Sequence, residues 1–508
     1  MDFKKIAIPL LVINVGYGLA SENPNIVFIL ADDMGYGDIS ALNEQAKIHT
    51  PFLDKMCRNG ITFTDAHSNS SVSTPTRYGI LTGRYSFRST LKRGVLNGTS
   101  NHLIPKERAT LASMLSKQGY QTACIGKWHL GWDWTMDENG QIDFTKPIKN
   151  GPSENGFDYY YSLSASLDFP PYVYVENDKA TAIPTRKIEA GTGKGFWRPG
   201  LIAPDFKHEE CLENITMRAC SYIESKKESE QPFFLYFPIT APHTPILPSE
   251  KFRGKSGLNE YADFVLMVDD VVGRIVKSLE DSGKAENTII IFTSDNGCSP
   301  AADLNSLHQL GHYPNYIFRG MKSDLYDGGH RIPLIIQWGN RYNNIKSEQL
   351  VCLTDFFATF ASITDYNVKD NEAEDSFSFH SILQREVDSE NMRKMIIHHS
   401  VDGSFSIREK EWKLLLSPHS GGWSYPNLKK DKASIPSLPL RQLYNMEEDK
   451  TEKMNVADQH PQNVRRLTRE LLQIIENGRS TPGVKQRNED QDNWPQLKEI
   501  YLKTDDKQ

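Results

Sequence analysis

Four short apolar runs, each ending in a burst of polar residues, set the terms for what this chain can fold into. Asn25–Leu30 (N-I-V-F-I-L) stops at Ala31-Asp32-Asp33, and Gln121–Ile125 runs into Gly126-Lys127-Trp128-His129. Pro232–Tyr236 leads toward Ala241-Pro242-His243-Thr244-Pro245, and Thr288–Phe292 into Thr293-Ser294-Asp295-Asn296-Gly297. Continuous apolar runs suit strands buried on both faces, as in a parallel sheet covered by helices. In open α/β sheets the carboxyl ends of such strands line one crevice, so the four polar endings are expected to meet in one site. Asp32 and Asp33 would repel each other there unless a cation or hydrogen bonds held them.

Helical patterns separate the runs. Glu107–Gln118 closes on Gly119, Leu258–Leu279 ends near Gly283, and Asp355–Ile363 follows a further buried strand at Ile332–Trp338. The expected fold is α/β: a large, mixed but mostly parallel sheet sandwiched by helices. Gly151–Gly200, rich in aromatics and proline, reads as long excursions from the sheet edge that shape access to a site. The acidic stretch Asp370–Glu390 reads as a linker or domain boundary. Beyond it, Met395–Ser400, Gly403–Arg408, Trp412–Leu416 and Gln442–Met446 are strand candidates, and Asn463–Ile475 is an amphipathic helix. They predict a smaller C-terminal antiparallel sheet with one packed helix, and a polar tail after Gly478. Single cores stop growing near roughly 250–300 residues, so the 508-residue chain divides into units at 21–370 and 371–508.

The net charge of -7 and pI near 6.1 offer no basic surface, which excludes nucleic acid as a partner class. Met1–Ala20 places Lys4 and Lys5 before the apolar run Ile6–Val15 and small residues before Ser21. That order is a secretory signal peptide, too short to span a bilayer. Export to the periplasm or the exterior is expected, without stable membrane insertion. Six scattered cysteines are not a disulfide framework, and Cys211 with Cys220 is the one pair considered for a bridge.

The stretch Ser73-Thr74-Pro75-Thr76-Arg77-Tyr78-Gly79-Ile80-Leu81-Thr82-Gly83-Arg84 carries a candidate nucleophile. Hydroxyl residues, Pro75 at the first helical position and a Thr82-Gly83 stop predict a short helix with Ser73 at or just before its start. Ser73 as a plain N-cap fits the same pattern. The order Ser, x, Pro, Thr, Arg, three residues, Leu-Thr-Gly-Arg resembles the signature of the formylglycine-dependent sulfatases, which share the alkaline-phosphatase-like fold. The resemblance implies that Ser73 is oxidised after translation to formylglycine. Serine rather than cysteine resembles the bacterial branch matured by an anaerobic radical-SAM enzyme.

By the same resemblance, Asp32, Asp33, Asp295 and Asn296, together with Ser73, hold one divalent cation, calcium; an all-oxygen donor set suits calcium better than zinc. Arg77, Lys127 and Lys322 would form a cationic clamp on the sulfuryl oxygens. His243, helped by Lys322, would protonate the departing sugar oxygen, and His129 would take the proton that lets sulfate leave. The Ser164–Tyr172 insert resembles the substrate-facing region of bacterial carbohydrate sulfatases, with Asp168 as an acceptor for sugar hydroxyls. His330 stands where many relatives carry a small or branched residue, and is expected to be a substrate contact or a stabilising neighbour. The substrate implied is a sulfated galactose or N-acetylgalactosamine at a non-reducing end. Two rivals stay open: a phosphomonoesterase or phosphodiesterase on a similar sheet, and a non-catalytic glycan-binding protein that keeps Ser73 unmodified.

Overall fold

The computed structural model describes residues 23–386, 392–490, 494 and 497. The expected signal segment, Met1–Ala20, lies outside the described residues.

The four apolar runs become four adjacent parallel strands. Asn25–Ala31 is buried along its whole length and pairs in parallel with Phe233–Pro238 on one side and Thr288–Ser294 on the other. Gln121–Lys127 joins the outer side of Phe233–Pro238, again in parallel. Their carboxyl ends therefore emerge along one edge. The sheet has ten strands, extended by the antiparallel Leu334–Trp338 and Ile61–Phe63 beyond Thr288–Ser294 and by Tyr159–Leu163 beyond Gln121–Lys127. The aromatic-rich excursion begins as sheet: Tyr159–Leu163 leads into two short edge strands, Val175–Glu176 and Lys179–Ala180.

Two groups of helices pack around this sheet. Pro51–Arg58, Cys211–Glu224 and Glu260–Asp281 form one group; Ser73–Thr82, Leu111–Lys117 and Phe356–Ile363 form the other. Their starts have local causes. Asn259 accepts a hydrogen bond from the Ala262 amide to open Glu260–Asp281. Thr110 and Ser113 form a capping box, so the helix expected from Glu107 starts at Leu111, after a turn closed by Arg108 N to Pro105 O at 2.9 Å.

The C-terminal unit is a four-stranded antiparallel meander of Met395–His399, Phe405–Glu409, Trp412–Leu415 and Gln442–Asn445. Helix Pro461–Glu476 covers it with Val464, Leu467, Leu471 and Ile475, a single stripe at helical spacing. Each such buried side chain contributes about 1.5–3 kcal/mol. The meander docks against the segment just before Ser73: the His399 carbonyl accepts from Ser71 N at 3.3 Å and from Ser70 Oγ at 2.9 Å.

Three expectations change. In the acidic stretch read as a linker, Glu374 and Asp375 are buried. Glu374 pairs with Arg84 at 3.3 Å and Arg108 at 2.8 Å, and Asp375 with Arg88 at 2.8 Å. These acids clamp the chain beyond the Ser73 helix; residues 387–390 of the stretch lie outside the described residues. Cys211 and Cys220 are both free and lie on one helix, where nine residues span about 13 Å of axis, too far for a bridge. Pro75 is the third helical residue rather than the first, because the helix begins at Ser73.

Candidate active site

Ser73 is the first residue of helix Ser73–Thr82, whose N-cap is Val72, and it makes no side-chain cap. Its hydroxyl turns toward the strand ends instead. Oγ donates to Asp295 Oδ2 at 2.5 Å and accepts from Arg77 Nε and Lys127 Nζ, each at 2.9 Å. Three segments far apart in sequence thus converge on one oxygen. Gly79 lets the helix pack against Asn69 of the segment before it, since a Cβ there would sit 2.3 Å from Asn69 Oδ1. Gly126, at φ +126°, lets the strand carrying Lys127 pass Pro238, whose carbonyl oxygen would be 2.1 Å from a Cβ.

Acids and bases alternate around that oxygen. Arg77 Nη2 donates to Asp295 Oδ2 at 2.8 Å and lies 3.6 Å from Asp32 Oδ1, while Lys127 Nζ donates to Asp32 Oδ2 at 2.7 Å. Lys322 Nζ meets Asp33 at 2.6 Å, and Asn296 Nδ2 donates to Asp33 Oδ1 at 2.7 Å. All of these side chains are buried. Burial pushes the Asp32 carboxyl up, but Lys127, His243 and Arg77 outweigh it and hold Asp32 below the usual carboxylate range. Burial likewise opposes charge on Lys322, and Asp33, Asp32 and Asp295 overcome it, raising the ammonium pKa. At Lys127 burial prevails over Asp32 and the pKa falls.

Asp33 and His129 follow their strands with left-handed backbones, at φ +68° and +55°. Such conformations cost about 1–3 kcal/mol and gather at functional sites. His129 Nε2 donates to the Leu96 carbonyl at 2.8 Å, which leaves Nδ1 as the bare nitrogen; that atom is buried without a partner. Burial, then Lys127 and Arg77, hold the ring well below its ordinary pKa, so it is a neutral proton acceptor. His243 Nδ1 lies 2.6 Å from the Thr244 carbonyl, and Nε2 lies 3.7 Å from Asp33 Oδ2, beside Lys322.

The donor set suits an oxygen-seeking cation. Asp32 Oδ1 and Asn296 Oδ1 are buried without hydrogen-bond partners, and one ligand atom each of Asp32, Asp33 and His243 lies within 4.8 Å of the other two. Unmatched carboxylate and amide oxygens are what a calcium-class ion takes.

Asp168 lies toward the rim. It accepts from Arg198 Nη1 at 2.5 Å and from Ser166 Oγ at 2.7 Å; burial pushes its pKa up, and His243, Ser166 and Arg198 together outweigh that and lower it. Arg198 lies 4.0 Å above the Phe169 ring, and Phe169 faces His129 at 6.3 Å between centroids. The sequence reading missed Arg198; its only signal was the Trp197-Arg198-Pro199 run inside the aromatic excursion. His330 is not brought to this site. It is fully buried against His67, His398 and Lys413. Its place as a stabilising neighbour is open to the structure, whereas a sugar cannot reach it there.

The Sulfatase family profile matches residues 24–366. The chain is 33% identical over 501 residues to an N-acetylgalactosamine-6-O-sulfatase of Bacteroides thetaiotaomicron, covering 90% of this chain and 94% of that protein. It is 32% identical over 352 residues to the N-acetylgalactosamine-6-sulfatase of Mus musculus, covering 68% and 63%. A solved sulfatase structure concerned with glycosaminoglycan metabolism by Bacteroides thetaiotaomicron superimposes with a TM-score of 0.77 at 32% identity, covering 89% of this chain and 99% of that one.

Proposed function

Because this chain belongs to the sulfatase family of sulfuric ester hydrolases, we propose that it removes a sulfate ester, at O6, from a galactose or N-acetylgalactosamine unit at the non-reducing end of a glycan. One observation carries the reading: Ser73 Oγ is held by Arg77, Lys127 and Asp295 at the edge where Asp32 and Asn296 keep unpartnered oxygens. The similarly named relatives support the sugar. Burial of Ser73 and His129, each 2% exposed, suits an end group entering a narrow pocket rather than a chain laid across a cleft.

In this reading Ser73 loses two hydrogens to become formylglycine through an anaerobic radical-SAM enzyme. Asp32, Asp33, Asp295 and Asn296 would hold a calcium ion, which supplies Lewis-acid charge for the sulfuryl oxygens. The remaining work belongs to the chain. Arg77 and Lys127 fix the position of residue 73 and present positive charge on its flank. Lys322 and the Nε2 face of His243 stand together at Asp33, where a proton can pass to the departing sugar oxygen. His129 Nδ1, bare and neutral, accepts a proton on the other side. Asp168 and Arg198 offer an acceptor and a donor to sugar hydroxyls at the rim. Export, inferred from Met1–Ala20, would place the enzyme with extracellular or periplasmic glycans; among the described residues no helix is long and apolar enough to cross a membrane.

The test is co-expression with an anaerobic maturase, followed by peptide mass spectrometry around Ser73 and measurement of sulfate release. The Ser73 peptide should be two hydrogens lighter, and N-acetylgalactosamine-6-sulfate should be desulfated in preference to its 4-sulfate isomer. An unmodified Ser73 under those conditions, or faster turnover of phosphate monoesters than sulfate esters, would sink the proposal.

A further inference from the structure

A second buried cluster lies beside the site and takes no part in the reaction proposed above. His67, on the short strand before the Ser73 helix, meets His330, from the turn after Lys322, and His398, from the C-terminal meander. None of the three is exposed, and one ring nitrogen of each lies within 4.8 Å of the others.

The outer nitrogens fix the tautomers. His67 Nε2 lies 2.8 Å from Asp65 Oδ1, His330 Nε2 lies 2.9 Å from the Leu325 carbonyl, and His398 Nδ1 lies 3.1 Å from the Ser68 carbonyl. Arg408 Nη1 and Lys413 Nζ also lie 3.2 Å from His67 Nε2 and His330 Nε2, but the shorter contacts are to acceptors, which places the hydrogen on these nitrogens. The bare nitrogens are then His67 Nδ1, His330 Nδ1 and His398 Nε2. The first two face each other at 3.0 Å, lone pair to lone pair, and the third is buried without a partner. A cation between them would relieve that facing pair, as would a hydrogen moved onto one Nδ1. Arg408 and Lys413, each with a nitrogen 3.2 Å from a ring, are already committed: Arg408 to Asp65 at 2.7 Å, Lys413 to Asp327 and Glu452 at 2.7 Å each. Arg331 pairs with Asp327 at 3.2 Å. The three acids and three bases of this shell balance. Burial holds all three rings below the usual imidazole range, with Lys413 adding to it at His330, which disfavours a proton as the bridge.

We propose that His67, His330 and His398 form a structural site for one transition-metal ion of the zinc class, bound through His67 Nδ1, His330 Nδ1 and His398 Nε2. Three neutral imidazoles, each orienting its other N–H onto a carboxylate or carbonyl, are the ligand and outer-shell chemistry such ions use. The His330 and His398 rings stack 3.6 Å apart at 14°, so binding has to tilt one ring out of that stack. The ion would tie the nucleophile segment and the Lys322 loop to the C-terminal meander.

Untagged protein produced in zinc-supplemented medium, dialysed against EDTA, should retain about one zinc per chain by plasma mass spectrometry. His398→Gln should lower that content at least about tenfold, the loss of one of three ligands. Wild-type protein stripped by 1,10-phenanthroline in mild denaturant should regain melting temperature on adding zinc chloride, and His330→Val should not respond. If His398→Gln does not fold, cobalt-loaded wild type still decides the matter through ligand-field absorption of an imidazole site. Zinc content equal in wild type and variant, or a wild type with no cobalt bands and no thermal response to zinc, would show that the rings share a proton instead.

Discussion

The active-site cluster and the histidine cluster are joined by the short segment from His67 to Ser73, and they are built to the same charge plan. Asp32, Asp33 and Asp295 meet Arg77, Lys127 and Lys322 in one; Asp65, Asp327 and Glu452 meet Arg331, Arg408 and Lys413 in the other. The difference lies in what each leaves unmatched. The first keeps buried oxygens of Asp32 and Asn296 without partners, beside the bare Nδ1 of His129, whereas the second keeps the Nε2 of His398. Equal charge balance therefore specifies nothing by itself; on the two proposals above, carboxylate and amide oxygens would take a hard ion and three imidazole nitrogens a borderline one.

Four measurements would break or sharpen this contrast, the largest effect first. Ser73→Ala should cut sulfate release at least about 10⁴-fold, some 5.5 kcal/mol of transition-state stabilisation, while the fold survives. Turnover within tenfold of wild type, with melting unchanged, would remove Ser73 from the chemistry. Lys413→Met should do the reverse: it strands Glu452 and leaves Asp327 with Arg331 alone, and should cost about 3–5 kcal/mol of stability by denaturant titration with kcat nearly unchanged. An equal fall in kcat would mean that the clusters are not separable.

The third is a pH effect. His208 at the rim, stacked 4.4 Å from Trp197, is held at a pKa of about 4 by burial, against an ordinary value of 6.5. The folded ring stays neutral while the unfolded one takes a proton. The stability it contributes is thus complete above pH 6.5 and is lost as pH falls toward 4, in total about 3 kcal/mol. His208→Phe should flatten that slope, and an unchanged acid limb would refute the assignment. Smallest, Arg198→Met should raise KM about tenfold, about 1.4 kcal/mol, with little change in kcat, because it removes a rim donor and frees Asp168. A change in kcat alone would place Arg198 in the chemistry instead.

Much of this arrangement was legible in the sequence, and the part that was not has a common cause. Asn25–Leu30 and its three counterparts announce themselves because a strand buried on both faces must be apolar throughout, and the residues after it must be polar to leave the sheet. That logic located Asp32, Lys127, His129, His243 and Asp295. Local pattern left a plain N-cap open for Ser73 beside the nucleophile reading, since the pull of Asp295, Arg77 and Lys127 on its hydroxyl comes from side chains that converge only in the fold. The same blindness turned Glu374 and Asp375 into linker acids, because the arginines that bury them lie far upstream. His67, His330 and His398 share no spacing at all. Their meeting is created by the docking of the meander.

That docking has a consequence in time. In the finished protein Ser73 is 2% exposed, and the segment leading to it is pinned by the His399 carbonyl, more than three hundred residues later in the chain. Synthesis proceeds from the N-terminus, so residue 73 exists as accessible polypeptide well before the strand that seals it. On the proposal that Ser73 is oxidised, the oxidising enzyme would have to act during that interval, and the pace of C-terminal folding would limit how many molecules leave it active.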